Sequence, residues 1–267
     1  MRNALAIAKK ELGIYFTTPW AYVVFTLMTL VGAFFFVGML QTFVQIQELA
    51  RAYSWARMPP AYNDYKNLTD GVVVPLWGVM LIITVILTPP LAMGLFAREK
   101  RQRTFELLMT LPVRPWEIVA GKYLGGLGVV LATLGTTIVF PLILAAFGAS
   151  ESGQALEWQT VLLGYGGLLL LGALSVSVTM LVSAFTESEM LALVISVIVM
   201  LCWLLLRGLV QSSDEPLRSI VTQLSLESHL QGMMRGLVEL KGLVFFVSAI
   251  VFCLLATHRK VESERWA

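Results

Sequence analysis

Long apolar runs alternate with short charged segments along the chain. Six stretches contain no Asp, Glu, Lys or Arg, and they lie between Glu11 and Glu48, Asp70 and Arg98, Lys122 and Glu151, Glu157 and Glu187, Glu189 and Arg207, and Lys241 and Arg259. A helix needs about 20 predominantly apolar residues to cross the hydrocarbon core of a bilayer. The pattern therefore predicts an all-α, polytopic integral membrane protein with six transmembrane helices, near residues 20–44, 72–97, 120–147, 159–185, 190–210 and 238–257.

The composition supports this class of protein. Of the 267 residues, 57% are hydrophobic and only 13% are charged, and the mean hydropathy is +0.79. Soluble domains carry roughly 25% charged residues, and transmembrane β-strands show an alternation of apolar and polar positions that is missing here. We expect the first apolar run to be an anchor, because a cleaved signal peptide has a shorter apolar region that ends in small residues.

The distribution of basic residues predicts the orientation. An even number of spans places both termini on one side, and that side holds twelve Lys and Arg residues against seven on the other. Basic residues are enriched on the cytoplasmic side of membrane proteins. We therefore expect both termini to be cytoplasmic.

Residues 1–18 predict an amphipathic helix at the membrane interface that precedes the first span. Its apolar side chains recur at three- and four-residue spacing, while its basic side chains lie elsewhere on the helical wheel. The apolar set is Leu5, Ala8, Leu12 and Tyr15 or Phe16, and the basic set is Arg2, Lys9 and Lys10. This face fits either lipid or a cytoplasmic partner protein, and the pattern leaves both open.

The segments on the opposite side differ in length and character. Residues 45–71 contain Pro59-Pro60 and several turn-forming residues, which predict a loop with room for a short helix. Residues 211–237 are too polar to span, yet their apolar positions recur at helical spacing, which predicts one or two external interfacial helices before the last span. The link FTESEM between spans four and five predicts a tight cytoplasmic hairpin, too small to host a site.

The sequence contains no recognisable motif for catalysis or for binding a cofactor. The predicted span cores contain no ionisable side chain, and no HExxH or GxSxG motif occurs. Gly121-Lys122 lacks the earlier Gly and the following Ser or Thr of a P-loop. We expect no enzyme activity, no metal and no bound cofactor, and Cys202 and Cys253 to be small buried residues. A transporter of this kind would take its energy from another chain.

The stretch from Phe96 to Ile118 carries eight formal charges between two apolar runs. Its second half, Thr104 to Pro112, predicts a two-turn helix that Thr104 caps and that has one apolar face. That face needs a surface to bury against. The membrane interface is one possibility, with the basic residues acting only as a topology signal, and a groove on a cytoplasmic partner is the other.

This stretch resembles the cytoplasmic segment of type-2 ABC exporter permeases, in which an acidic-basic collar precedes a T-x-E-x-L-L-x-x-P motif and a later Gly-Lys. The matching residues are Glu99, Lys100, Thr104, Glu106, Leu107, Leu108, Pro112, Gly121 and Lys122. Arg103 departs from the family, which often has Gly before the Thr. We expect that this change leaves the helix intact but removes a flexible point.

The C-terminal part is similar to the same family. SLESHLQGMMRGLVEL resembles its segment after the fifth span through His229, Arg235 and Gly236, and the spacing is most like the gliding-motility (Gld-type) branch. We assign no chemistry to His229.

The resemblance implies a single ABC type-2 transmembrane domain over residues 1–267 that pairs with a second permease copy or homologue. Two separate ATPase chains, which bind ATP and Mg, would dock below the pair, with 98–118 as the coupling loop. The ATPase-coupling residues would be Glu99, Lys100, Thr104, Phe105, Glu106, Leu107, Leu108 and Pro112. Lys9, Lys10 and Glu11 would form an N-terminal clasp on the same ATPase.

Two functions fit these expectations. The first is the permease subunit of an ABC exporter in a bacterial inner membrane, with a substrate path lined by spans one, two and five. The second is a membrane scaffold of a motility or secretion complex that binds an ATPase and transmits force without moving a solute. A periplasmic partner protein and membrane lipid are further expected partners, and nucleic acid is not.

Overall fold

The computed structural model describes residues 2–53, 59, 62, 64–65, 67–106, 113–147, 156–210 and 221–265. Within these residues the secondary structure is helical and no strand occurs, so the all-α prediction is confirmed. The helices are α1 (Arg2–Thr17), α2 (Pro19–Tyr53), α3 (Val74–Ala92), α4 (Gly94–Arg101), α5 (Pro115–Thr137), α6 (Val139–Phe147), α7 (Trp158–Phe185), α8 (Glu189–Val210), α9 (Leu226–Met234) and α10 (Leu240–Arg265).

Six helical segments among the described residues are long and apolar enough to cross a membrane, as the sequence predicts. They are Pro19–Tyr53, Thr69–Arg101, Pro115–Phe147, Trp158–Phe185, Glu189–Leu206 and Leu240–Glu264. A π-helical turn, Thr69–Val73, opens the second segment. The boundaries differ most at α2, whose 35 residues extend to Tyr53 rather than to 44. At 1.5 Å per residue α2 is about 52 Å long, well beyond a core of about 30 Å.

The centre of the bundle is α7. In its most apolar window 72% of the residues are buried, against 22% for α2 and for α8. It contacts α3, α4, α5, α8, α9 and α10. Small side chains make this possible, because Gly, Ala, Ser and Thr let neighbouring helices approach closely. Ser175, Ser177, Thr179 and Ser183 are all fully buried along it.

Proline interrupts two of the spans. Pro89 and Pro90 lie in the last turn of α3, and Met93 separates α3 from α4. Pro141 lies just after Ile138, where α5 ends and α6 begins. Because proline has no N–H, each of them removes one hydrogen bond to the carbonyl four residues earlier and weakens its helix. Span two breaks at Met93, three residues after Pro90, and span three breaks at Ile138, three residues before Pro141.

The two ends of the bundle carry different features. We call the end that holds α1, α4 and the C-terminal turns of α10 the terminal end, because the first described helix and the end of the last one lie there. The opposite end, with the C-terminal turns of α2, the π-helical turn and α9, is the distal end. One helix of the segment 211–237 is present as α9, whereas 211–220 lie outside the described residues, and the external position of this segment stays a prediction. The hairpin between α7 and α8 is as short as predicted.

Candidate functional site

Four consecutive residues at the end of α4 form ion pairs with side chains of other helices. Arg98 and Arg101 pair with Glu189 of α8, Glu99 pairs with Lys122 of α5, and Lys100 pairs with Glu264 of α10. Lys122 also binds Glu11 of α1. We call these eight residues the α4 ion-pair cluster. The cluster joins the end of span two, which the sequence predicts to be cytoplasmic, to α1, α5, α8 and α10.

Lys122 is the most buried member of the cluster. Its side chain is only 2% exposed, and its Nζ lies 3.0 Å from Glu11 Oε1 and 2.8 Å from Glu99 Oε1. Lys10 Nζ lies 3.7 Å from the same Glu99 oxygen, so two cations offset two carboxylates. The Phe96 ring covers the ammonium group at 5.3 Å from its centroid. A buried charge is tolerated only when it is paired and hydrogen-bonded in this way.

The other pairs of the cluster are more accessible. Glu189 lies 3.3 Å from Arg98 and 2.7 Å from Arg101, whose side chains are 36% and 61% exposed. Lys100 lies 2.7 Å from Glu264 and also donates a hydrogen bond to the Ala184 carbonyl of α7. Exposed pairs contribute little to stability by themselves. Their role here is geometric, because they fix α4 against α7, α8 and α10.

A glycine track on α5 receives α1. A Cβ at Gly121 would stand 2.7 Å from the Ala4 carbonyl oxygen, and one at Gly125 would stand 2.6 Å from the Glu11 Cβ. At Gly128 the nearest atom is Leu12 Cδ2, at 2.8 Å. The first turns of the two helices therefore run side by side in close contact, which side chains at these glycines would prevent.

This packing changes the expected face of α1. The buried residues are Ala4, Ala8 and Glu11, whereas Leu5 and Phe16 of the predicted apolar set are 64% and 45% exposed. Small residues form the contact because they match the glycines of α5. Of the predicted clasp residues, Lys9 and Lys10 are exposed and Glu11 is buried against Lys122.

The predicted coupling segment begins with a tight turn after α4. Arg103 N–H donates to the Lys100 carbonyl and Thr104 N–H to the Glu99 carbonyl, both at 3.0 Å, and Arg103 has a φ of 55°. This is a Schellman ending, in which glycine normally occupies the left-handed position. Arg103 therefore occupies a backbone position that favours glycine. The sequence suggests only a loss of flexibility at this residue, but the structure shows that its backbone is also strained.

The next residues divide between the interior and the surface. Phe105 is 7% exposed and packs edge-on against Phe96, with Lys100 Nζ 5.4 Å from its ring centroid. It is thus not part of the free apolar face that was expected. Thr104 and Glu106 are exposed, and the Thr104 hydroxyl donates to the Glu99 carbonyl. The predicted coupling residues Leu107, Leu108 and Pro112 lie outside the described residues.

The predicted motif at the distal end has structural roles. The His229 ring stacks on Phe245 at 4.4 Å, and its Nε2 lies 2.9 Å from the Gln223 carbonyl. Arg235 ends α9 and is exposed. Gly236 has a φ of 81°, and a Cβ there would meet Thr160 Oγ1 at 2.6 Å, so only glycine fits without strain.

Several residues of the terminal end were not foreseen from the sequence. Glu189 and Ser183 flank the hairpin that seemed too small to host a site, yet both bind the α4 region. Glu264 lies near the C-terminus, and Tyr15 of α1 was predicted only as a member of the apolar face and not as a hydrogen-bond donor. Their only sequence signal is charge or a hydroxyl close to a span end. Among the described residues, no group of His, Cys, Asp and Glu that could hold a metal ion occurs.

Comparison with known families identifies the chain. A family model described as ABC-2 family transporter protein matches residues 5–254, which is nearly the whole sequence. The chain belongs to the ABC-2 transporter family. No curated protein matches it. As a member, this ABC-2 protein is a multi-pass permease-type subunit of an ABC transporter, a class that associates in general with ABC ATPases.

The match also places the α4 ion-pair cluster within the family domain. Seven of its members, from Glu11 to Glu189, lie between residues 5 and 254, and Glu264 lies ten residues beyond. The cluster therefore lies mainly within the part of the chain that the family model matches, and the end of α10 is attached to it.

Proposed function

We propose that this ABC-2 permease transmits ATP-driven movement from separate ATPase chains through its terminal end to the membrane-spanning helices. The observation that carries the proposal is the α4 ion-pair cluster. The predicted coupling segment continues directly from α4, and the charged residues of α4 are tied to α1, α5, α8 and α10. A displacement of that segment would therefore reach all these helices together.

The proposal places the terminal end in the cytoplasm of a bacterial cell, with the permease in the inner membrane. The excess of basic residues on that side supports this orientation. ATP and Mg would bind to the partner ATPases, and this chain would contribute no catalytic residue. Of the predicted coupling and clasp residues, Thr104 and Glu106 beyond α4 and Lys9 and Lys10 of α1 are exposed and therefore accessible to an ATPase.

A pair of permeases would form the translocation path. Of the six spans, α2 and α8 are the least buried, which supports spans one and five facing a second copy or a homologue, whereas span two is 61% buried within the bundle. A groove of about 950 Å³ lies along the distal half of α2. Its lining includes Phe34, Val37, Gly38 and Thr42 of α2, and Tyr65 and Pro75 across from them.

Co-purification in mild detergent tests the central interaction. The tagged full-length chain should bring down an ABC ATPase, and the double variant Glu106→Lys, Leu108→Asp should abolish this while inserting normally into the membrane. The matched control is Leu237→Asp with Glu239→Lys, which makes the same exchanges at exposed distal residues. Undiminished recovery of the ATPase with the first double variant would refute the coupling assignment.

The scaffold alternative makes a different prediction for the same purified complex. In a permease, ATP hydrolysis should rise when a lipid, peptide or polysaccharide substrate is added. In a gliding-motility or secretion scaffold, hydrolysis should rise only with a periplasmic partner protein. Measured stimulation by each class of compound in lipid nanodiscs therefore separates the two functions.

A further inference from the structure

The junction between α3 and α4 leaves backbone groups without helical partners. Pro89 and Pro90 have no N–H, so the carbonyls of Val85 and Ile86, one turn earlier in α3, lack their usual donors. Beyond the prolines, Met93 N–H still donates to the Pro89 carbonyl, at 2.9 Å, but Met93 separates α3 from α4. The next N–H groups of α4 and other carbonyls near Met93 find partners elsewhere, because helix ends leave such groups unpaired. Side chains from two other helices supply them.

Ser183 of α7 satisfies three of these groups. Its Oγ accepts hydrogen bonds from the N–H groups of Phe96, at 3.1 Å, and Ala97, at 2.9 Å, and donates to the Met93 carbonyl at 2.7 Å. A serine hydroxyl has one proton to donate and two lone pairs to accept with, so its full capacity is used. Ser183 is completely buried, so water does not compete for these bonds.

Tyr15 of α1 reaches the same junction from the other side. Its hydroxyl donates to the Leu91 carbonyl, one turn before α4 begins. Burial, together with the negative charge of Glu11, raises the pKa of Tyr15 above its usual value. The phenol therefore keeps its proton and remains a donor throughout the physiological pH range.

A cavity of about 30 Å³ separates α1 from the junction, which leaves room for a small rotation. Its lining includes Tyr15, Pro90, Leu91, Met93, Gly94 and Arg98. The eight residues of α4 follow immediately and carry four members of the α4 ion-pair cluster. A rotation at Met93 would thus displace the start of every ion pair that α4 makes.

We propose that residues 89–94 form a hinge, and that Ser183 and Tyr15 are the positioning residues that hold α4 in one orientation. A proline kink with side chains inserted into the hydrogen-bond ladder is a defined bending point in a helix. The hinge is a property of this chain alone and does not depend on which partner moves α4, so it stands or falls separately from the proposed function.

Spin labels on either side of the hinge test the proposal. Both Gln102, after α4, and Glu187, in the hairpin after α7, are exposed and lie outside the α4 ion-pair cluster. They are replaced by cysteine in a chain that lacks Cys202 and Cys253, and the distance distribution between the labels is measured in lipid nanodiscs. Ser183→Ala and Tyr15→Phe should each raise the ratio of a second α4 orientation to the first about tenfold, as expected for lost buried hydrogen bonds.

Two matched variants control for a general loosening of the fold. Ser177→Ala removes another buried α7 hydroxyl, which donates to Leu174, and Tyr22→Phe removes a phenol that donates to Phe16. Neither touches the hinge, so both should keep the parent distribution even if thermal stability falls as much as in Ser183→Ala.

Each outcome decides. A second orientation in the hinge variants but not in the controls supports the proposal. An unchanged distribution in Ser183→Ala and Tyr15→Phe, or the same broadening in the controls, overturns it. If Ser183→Ala does not yield folded protein, the comparison of Tyr15→Phe with Tyr22→Phe is decisive, and an unchanged Tyr15→Phe distribution overturns the hinge assignment.

Discussion

At the scale of single residues, Lys122 has the most demanding environment in the described part of the chain. Its ammonium group is buried between two carboxylates, Glu11 of α1 and Glu99 of α4. The other nearby cation, Lys10, lies farther from Glu99, at 3.7 Å. Removing one partner from a buried ion pair leaves an uncompensated charge, which costs about 3–5 kcal/mol. The main effect of losing Lys122 is therefore the two buried carboxylates that remain without their cation.

Lys122→Met should lower the free energy of unfolding by about 3 kcal/mol, because Glu11 and Glu99 then face each other with only Lys10 nearby. Lys10→Met is the matched control. Its side chain is 58% exposed, so its loss should cost less than about 1 kcal/mol. Denaturant unfolding in mixed micelles measures both, and equal losses for the two lysines would contradict the importance of burial. Adding Glu11→Gln and Glu99→Gln to Lys122→Met should recover part of the loss.

Arg103 offers a second test at this scale. Its φ of 55° is unfavourable for a residue with a Cβ, by about 1 kcal/mol relative to glycine. Arg103→Gly should therefore leave the turn intact and raise the unfolding free energy slightly, despite the greater freedom of glycine in the unfolded chain. Arg103→Ala, which removes the side chain but keeps the Cβ, should not. If Arg103→Ala raised the unfolding free energy as much as Arg103→Gly, the effect would come from the arginine charge and not from the backbone.

At the scale of elements, α1 is a packed part of the bundle rather than only a surface helix. The track of Gly121, Gly125 and Gly128 receives it, and the Asn3 amide donates to Glu117 at the start of α5, at 3.3 Å. This association links α1 to α4 in two places: Glu11 binds Lys122, which also binds Glu99 of α4, and Tyr15 donates to the Leu91 carbonyl just before α4. Movement of α4 and of α1 should therefore be coupled.

Gly125→Val should separate α1 from α5, because the new Cβ would stand 2.6 Å from the Glu11 Cβ. Hydrogen exchange of the α1 amides should then accelerate by at least about tenfold. Gly135→Val in the same helix is the control, since a Cβ there meets nothing within 4 Å. Equal exchange in both variants would show that α1 does not depend on the glycine track.

The predictability of these elements follows from the range of the interactions that form them. Apolar runs predict the spans because crossing a bilayer is a property of each segment alone, and Pro89, Pro90 and Pro141 interrupt helices for an equally local reason. The partners of α4 are different, because Ser183, Glu189 and Glu264 approach it only when distant helices pack. The buried face of α1 was predicted only in part, through Ala8, Leu12 and Tyr15. The roles of Ala4 and Glu11 escaped prediction because they depend on the glycines and Lys122 of α5.

At the scale of the whole molecule, the account requires that the terminal end face the cytoplasm. Cysteines introduced at Tyr62 and at Gln102, in a background without native cysteines, should react differently with a membrane-impermeant maleimide on intact cells. The distal position 62 should be labelled, and position 102 should react only after the cells are permeabilised. Labelling of 102 without 62 would reverse the topology.

The same scale joins the fold to the proposed coupling. A central α7, lightly buried α2 and α8, and a terminal end tied together by the α4 ion-pair cluster form a bundle in which one short helix contacts most of the others. Members of the ABC-2 transporter family associate in general with ABC ATPases. What needs direct measurement is where on this chain the ATPase binds.

Site-specific photo-crosslinking in native membranes measures this most directly. A benzophenone amino acid at Glu106, which is exposed just beyond α4, is compared with the same group at Leu237, which is exposed at the distal end. The account predicts that the position 106 product contains an ABC ATPase and that the position 237 product does not. An ATPase crosslinked from 237, or none from 106 while the ATPase still co-purifies, would contradict it.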